Sequence, residues 1–146
     1  MKISISDNSL QVAKNFERKI RQQPLIVKTA LGRTAEFLIY LIKTKTLKGI
    51  DADGNTFVKY TPEYKKIREQ AGKQVAKPDL YFSGNMLNNI TQKSFPSFAE
   101  IYFASKFENT KALGNQKKRK FFAIGNKDVN SIMNVFKKEY NSLSKI

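Results

Sequence analysis

Two acidic residues between glycines are the first candidates for chemistry in this chain. Asp51 and Asp53 lie in the segment Gly49–Asn55, sequence GIDADGN, which is similar to the start of a calcium-binding loop. Counting from Asp51, such a loop needs glycine at its sixth position and glutamate at its twelfth, where this chain has Thr56 and Pro62. The segment therefore favours a tight turn, with its second glycine at a positive φ, over a calcium site.

A catalytic carboxylate pair is the other chemical interpretation of Asp51 and Asp53. The chain contains no Cys and no His, so it lacks thiolate nucleophiles, imidazole bases and the usual nitrogen and sulfur ligands of zinc. No glycine-rich phosphate-binding motif and no third acidic ligand accompanies the two carboxylates. We therefore predict a protein without enzymatic activity, cofactor or metal.

Positive charge is the strongest feature of the composition. The 146 residues include 27 Lys and Arg against 12 Asp and Glu, a net charge of +15. Such a charge favours anionic partners, either nucleic acid or an acidic protein surface, while a Lys-rich solvated surface explains it equally well. Five of the basic residues are Arg, the side chain best suited to reading base edges, so sequence-specific recognition is not expected.

The basic residues form two clusters where the apolar pattern is weakest. Residues 59–77 carry six basic and two acidic side chains, and residues 105–120 carry six basic and one acidic side chain. The second cluster is mostly polar and contains Gly114-Asn115-Gln116, which predicts an exposed, mobile loop. We expect Lys111, Lys117 and Lys118 to contact an anionic surface.

Apolar residues at three- and four-residue spacing predict four helices. The first helix follows a cap at Ser6 or Asp7, and its apolar face carries Leu10, Ala13, Phe16 and Ile20. The second runs from Leu25 to Lys48, ends at Gly49 and carries Val27, Leu31, Ala35, Leu38 and Ile42 on its apolar face; the third is short, from Tyr64 to Ala71, with Thr61 as cap and Pro62 at the first position. The fourth follows a cap at Asn126 and carries Val129, Ile132, Met133, Phe136, Tyr140 and Leu143.

β-rich segments complete the predicted fold. Leu87–Phe95 and Phe98–Ala104 form an antiparallel hairpin around Pro96-Ser97, Tyr81–Met86 leads into it as a strand or turn, and Lys120–Ile124 is a short strand. The sequence predicts one α+β domain over residues 1–146, with long N-terminal helices and a C-terminal helix packed on a small antiparallel sheet.

Neither a membrane span nor a signal peptide is expected. The longest apolar run, Phe37–Ile42, is far shorter than the roughly 20 residues that cross a bilayer. The first six residues lack the apolar stretch of a signal peptide, so we expect synthesis and use in a cytoplasm.

Three separated segments together resemble the phage virion-morphogenesis family, the tail-completion proteins of Mu-like phages and related neck proteins. Residues 49–64 are similar to the family's Gly-x-Asp-x-Asp-Gly turn, aromatic residue and Ser/Thr-Pro helix start. Phe82–Ile90, sequence FSGNMLNNI, resembles its (Thr/Ser)-Gly-x-Leu-x-x-(Ser/Asn)-Ile element with one extra residue, and Arg119–Gly125, sequence RKFFAIG, resembles its Arg-x-Phe-(Phe/Leu)-Gly-(Ile/Leu) strand. The segments and the helices around them are collinear with the family from about Leu10 to Tyr140.

This resemblance implies a structural virion protein. It would be a tail-completion or neck component that joins the phage tail to the head as a homo-oligomeric ring, expected to be a hexamer, beside neighbouring neck and tail proteins. It would be found in the virion, and in the host cytoplasm during assembly. The alternative is a small basic protein that binds nucleic acid without sequence specificity, supported by the +15 charge and the aromatic residues near Lys117–Lys120.

Two further groups of residues are expected to act in such a protein. The resemblance places Arg119 at the start of a strand, where it would pair with a carboxylate and orient the fold or a subunit contact. Four aromatic residues are expected to be shared between the core and a subunit contact: Phe95, Phe98, Tyr102 and Phe103. For the three lysines, the anionic surface would be packaged DNA, contacted without sequence specificity, or an acidic face of an adjoining ring.

Overall fold

A three-stranded antiparallel sheet forms one layer of the fold. The computed structural model describes residues 1–6 and 23–145. Its strands are β1 (Lys2–Ser6), β2 (Ile90–Ser94) and β3 (Phe98–Phe103), in the order β1-β3-β2. Its helices are α1 (Pro24–Leu47), α2 (Pro62–Gln70), α3 (Asn85–Asn88), α4 (Lys106–Gln116) and α5 (Val129–Ser144), with a 3₁₀ turn at Asn126–Asp128. The predicted α+β class is confirmed.

The long helix α1 packs against the sheet, and it also packs against α5. Its apolar residues at helical spacing, including Leu31, Leu38 and Ile42, are buried as predicted. Two threonines are buried in the same helix, and each hydroxyl donates to a carbonyl one turn earlier, Thr34 to Ala30 at 2.7 Å and Thr46 to Ile42 at 2.7 Å. These bonds satisfy the hydroxyls, so the helix interface tolerates them.

The predicted hairpin is present, and its register decides which side chains face the core. Thr91 pairs with Tyr102 and Ile90 with Phe103. Along β3, Ala99, Ile101 and Phe103 are buried, whereas the alternate residues are partly exposed. Period-two alternation therefore places Tyr102 and Phe103 on opposite faces, as the sequence predicts.

Strand β1 was not predicted. Its sequence, KISIS, alternates polar and apolar residues over only five positions, and Ile3 and Ile5 pair with Ile101 and Ala99 of β3. A partner distant in sequence is what makes this short segment a strand, and Ser6 belongs to it. The helix predicted from Leu10 to Ile20 lies outside the described residues.

The predicted mobile loop at residues 106–120 is wrong, because Lys106–Gln116 forms helix α4. Ser105 caps it by accepting a hydrogen bond from the Glu108 amide at 3.4 Å. Ala112 is fully buried, and Glu108 is largely so. A helix that buries so few apolar side chains shows little periodicity, which explains why its polar composition predicted a loop.

Three smaller expectations also differ from the structure. The predicted strand at Lys120–Ile124 is an irregular segment with Phe121 and Phe122 buried. The segment before the hairpin forms the short helix α3, and β2 begins only at Ile90. Asn126 starts a 3₁₀ turn instead of capping α5 directly.

No helix within residues 1–6 and 23–145 has the length and apolar character needed to cross a membrane.

Candidate functional site

The acidic turn at Gly49–Asn55 uses its carboxylates to hold its own backbone. The Asp51 carboxylate accepts hydrogen bonds from the amides of Asp53 at 2.9 Å and Asn55 at 2.8 Å, and Gly54 has φ +91°. The Asp53 carboxylate pairs with Lys120 at 3.2 Å. The predicted tight turn is confirmed, and the described part of the chain contains no cluster of acidic side chains that could hold a metal ion.

The same turn is anchored to the chain before α5. The Ala52 amide donates to the Lys120 carbonyl at 2.8 Å, and the Ala52 carbonyl accepts from Lys45 Nζ at 3.1 Å. Lys45 also forms an ion pair with Asp128. Gly125 lies so close to this turn that a Cβ atom there would be 1.9 Å from the Ala52 carbonyl oxygen. The acidic turn thus has a structural role.

Arg119 connects the third motif segment to the first through backbone carbonyls. Its Nε donates to the Val58 carbonyl at 2.8 Å, and Nη2 donates to the Lys59 carbonyl at 3.2 Å. The prediction that Arg119 pairs with a carboxylate is therefore wrong. The prediction that Arg119 lies at the start of a strand is also wrong, because the residues after it form an irregular segment. The residue is 8% exposed, and this burial lowers the pKa of Arg119 from its ordinary value. Its orienting role in the fold agrees with these bonds.

Tyr60 lies between several of these elements. Its hydroxyl accepts hydrogen bonds from the amides of Leu80 at 3.0 Å and Asp79 at 3.3 Å. The guanidinium groups of Arg68 and Arg119 lie 4.9 Å and 5.0 Å from the centre of its ring. Burial raises the pKa of the Tyr60 hydroxyl above its ordinary value. Tyr60 therefore bonds the backbone just before the second motif segment and contacts two buried cations.

Arg68 is a buried cation of this region that the sequence did not predict. It is 1% exposed, and it donates to the Gln74 carbonyl at 2.9 Å and to the Asp79 carboxylate at 3.1 Å. Its guanidinium also lies 6.0 Å from the centre of the Tyr64 ring. In the sequence it is one basic residue of the 59–77 cluster, and charge alone gave no signal that it is buried.

A cleft of about 450 Å³ opens beside Tyr60, between the start of α2, the turn before α3 and one face of α4. The residues that line it are Tyr60, Thr61, Tyr64, Leu80, Phe82, Ser83, Gly84, Met86, Lys111, Asn115, Lys118 and Arg119. All three segments that carry the family resemblance therefore contribute to one cleft, although they are separated by tens of residues. This convergence makes it the candidate functional site.

The backbone at the cleft has an unusual conformation. Gly84 has φ +86°, and a Cβ atom there would lie 2.7 Å from the Tyr81 hydroxyl oxygen. Leu80 has φ +51°, a left-handed conformation that a branched side chain rarely adopts. The Tyr60 hydroxyl holds the Leu80 amide in this position. Such conformations persist where the surrounding structure enforces them, frequently at binding sites.

The structure separates the three lysines that were expected to act together. Lys111 and Lys118 line the cleft and Lys117 does not. Lys111 pairs with Glu108 at 3.1 Å and lies 4.5 Å from the centre of the exposed Phe107 ring. The Lys118 side chain is exposed and forms no ion pair with any residue that the structure describes.

The four aromatic residues expected at a subunit contact lie in two environments. Phe103 is buried in the core, with its ring centre 4.9 Å from that of Phe122. Phe95 and Phe98 stack at 4.4 Å where the hairpin turns, and both are partly exposed, as is Tyr102 on the outer face of the sheet. None of the four lines the cleft.

No protein-family model matches the chain, and searches of curated proteins and of solved structures find no significant similarity. The functional argument therefore depends on the residues and their arrangement.

Proposed function

We propose that this protein is a structural component of a phage virion, a tail-completion or neck protein that joins the tail to the head as a ring of identical subunits. The observation that carries the proposal is the convergence of the three motif segments on one cleft. Tyr60–Tyr64 contributes the start of α2, and Phe82–Met86 contributes the glycine turn. Arg119 contributes from the third segment and bonds the Val58 and Lys59 carbonyls of the first.

Each motif residue has a structural explanation that requires no catalysis. Asp51 stabilises a turn, Gly84 permits a positive φ, and Arg119 bonds two carbonyls. A rigid surface built from distant segments suits a protein that recognises other proteins in an assembly. The partly exposed Phe95, Phe98 and Tyr102 supply an aromatic surface on the opposite side of the sheet from α1, which suits a subunit contact.

The direct test is an in-frame deletion in a phage whose genome encodes this chain. We expect DNA-filled heads and complete tails to accumulate separately, as counted by electron microscopy. Adding the purified protein to the mutant extract should join them, whereas heat-denatured protein should not. Joined particles of normal yield from the deletion mutant would refute the proposal.

The net charge of +15 supports a second candidate, a protein that binds nucleic acid without sequence specificity. This candidate predicts that the deletion leaves head-tail joining intact. It also predicts that the purified protein binds duplex DNA as a monomer with an affinity that falls steeply with salt. The two measurements together therefore distinguish the candidates.

A further inference from the structure

We propose that the cleft beside Tyr60 is a docking site for an acidic segment of another protein chain, which inserts an apolar side chain near Phe82 and sets carboxylates against Lys111 and Lys118. This inference rests on the proposed function in one respect, that the cleft meets a protein partner. It names the chemistry of that partner.

Charge is the first argument. Three cations, Lys111, Lys118 and Arg119, line the cleft, and none of the lining residues that the structure describes is acidic. The three cations differ in the bonds that they already make. Arg119 donates to two carbonyls and Lys111 pairs with Glu108, whereas Lys118 has no ion-pair partner within the described residues. An incoming carboxylate would therefore find one uncommitted ammonium group at the rim and further positive charge beside it.

The apolar wall is the second argument. Phe82 is 40% exposed at the cleft, and Leu80 and Met86 lie in the same lining. The lining thus combines apolar surface with a few polar groups, among them the hydroxyls of Thr61 and Ser83, in a volume typical of ligand sites. An apolar side chain flanked by carboxylates fits this combination better than a free anion does.

The ring environments favour a peptide over nucleic acid. Single-stranded nucleic acid is held by bases that stack on open aromatic faces. The Tyr60 ring is buried and already contacts two guanidinium groups, and its edge-to-face contact with Tyr64 has a centroid distance of 4.9 Å. Tyr64 also contacts the Arg68 guanidinium, at 6.0 Å, so among the described lining residues Phe82 is the aromatic ring that remains for stacking, and one ring is not a series of stacking surfaces.

The acidic turn at Gly49–Asn55 is the segment that a second copy of this chain would have to insert. It is unsuited to insertion, because Asp51 bonds its own backbone and Asp53 pairs with Lys120. An acidic segment of a different chain therefore fits the cleft better.

The test begins with an array of heptapeptides, each with three Asp or Glu residues and one Phe, Leu, Met or Tyr, beside a matched array with Asn and Gln. The full-length protein should bind members of the acidic array and not their neutral counterparts. The best peptide is then titrated into ¹⁵N-labelled protein at about 0.15 M salt, where long-range attraction is screened within about 8 Å. The amides of Thr61, Ser83 and Asn115 should shift saturably.

Neighbouring lysines provide the matched control. Lys118→Gln should weaken binding of the peptide roughly tenfold, the effect of losing one charge-assisted hydrogen bond. Lys117→Gln removes the same charge outside the cleft and should change the affinity less than about twofold. Because both side chains are exposed, both variants should keep the parent circular dichroism spectrum.

Three results would overturn the inference. One is an acidic array without binders, and another is equal weakening by the two variants, which would indicate general attraction to a basic surface. The third is that a 20-nucleotide oligothymidylate shifts the same amides and is displaced by no peptide, which would assign the cleft to nucleic acid. The peptide assay uses purified protein and the deletion test uses phage, so failure of one is distinguishable from failure of the other.

Discussion

Replacing Arg119 with methionine tests the contacts that this buried side chain makes with the first motif segment. The change keeps much of the side-chain volume and removes the guanidinium group. It therefore breaks the hydrogen bonds to the Val58 and Lys59 carbonyls, at 2.8 Å and 3.2 Å, and the contact with the Tyr60 ring at 5.0 Å. The Arg119 side chain would then no longer bond the first motif segment, and the ion pair between Lys120 and Asp53 would remain between the two segments.

The magnitude follows from these contacts. Hydrogen bonds to a charged group contribute about 1.5–3 kcal/mol each, and a cation over an aromatic ring contributes about 0.5–2 kcal/mol. Two effects reduce the total: methionine removes the cost of desolvating a buried cation, and water can reach the carbonyls of the exposed Val58 and Lys59. We therefore expect Arg119→Met to lower the free energy of unfolding by about 2–4 kcal/mol. Arg119→Lys, which keeps the charge without the planar fork, should lower it by about 1–2 kcal/mol.

Urea unfolding followed by far-UV circular dichroism measures the change, with an unchanged m-value as the test of a two-state comparison. Arg33→Met is the matched control. Arg33 is exposed, and its one ion pair within the described residues, to Glu139 at 2.8 Å, should contribute less than about 1 kcal/mol. A free energy for Arg119→Met within about 0.5 kcal/mol of this control would refute the assigned role of Arg119.

Three further predictions concern stability. Leu38→Ala should lower the free energy of unfolding by about 2–5 kcal/mol in urea titrations, because Leu38 is buried in α1, whereas Tyr40→Ala on the exposed face of the same helix should change it little. Burial raises the pKa of the Tyr60 hydroxyl above its ordinary value of 10.0, so the unfolded chain loses the hydroxyl proton at a lower pH than the folded protein does. The contribution of Tyr60 to the free energy of unfolding should therefore be present below pH 10 and fall as the pH rises above 10. The fall measured in urea titrations should be smaller in Tyr60→Phe. Gly125→Ala should destabilise the protein, by roughly 1–3 kcal/mol or more in thermal melts, because its Cβ would lie 1.9 Å from the Ala52 carbonyl oxygen. Gly114→Ala, in α4 with open space around it, should instead stabilise the protein by about 0.4–1 kcal/mol. If Gly114→Ala were the more destabilising of the two, the packing around Gly125 would be contradicted.

Local signals in the sequence were sufficient for much of the fold. The apolar spacing of α1, the Thr61-Pro62 start of α2 and the hairpin around Pro96-Ser97 were all predicted and are present. These features depend on residues within a few positions of one another, through helical periodicity, capping and turn chemistry. The same is true of the acidic turn, in which Asp51 bonds amides two and four residues ahead.

The candidate site could be predicted only in part. The sequence singled out Lys111, Lys118 and Arg119, but it grouped the two lysines with Lys117 in an exposed loop and placed Arg119 at the start of a strand. Helical geometry places Lys111 at the cleft, because Lys111 and Asn115 are four residues apart on one face of α4, and that face borders the cleft. Lys117 and Lys118 lie in the turn after α4, and nothing in the sequence indicates that Lys118 lines the cleft whereas Lys117 does not.

Composition, periodicity and turn chemistry by themselves determined the α+β class, the apolar faces of the long helices and the absence of thiol and imidazole chemistry. Only the tertiary structure decided that KISIS is a strand, that residues 106–116 are a helix, and that Arg68 and Arg119 are buried against Tyr60. The physical reason for β1 and Arg119 is that their partners lie far away in the chain. Arg68 has nearer partners, and they meet it only once residues 74–79 fold back against α2. A guanidinium group can be buried only where carbonyls, a carboxylate or an aromatic ring from other segments meet it, and no local pattern encodes that meeting.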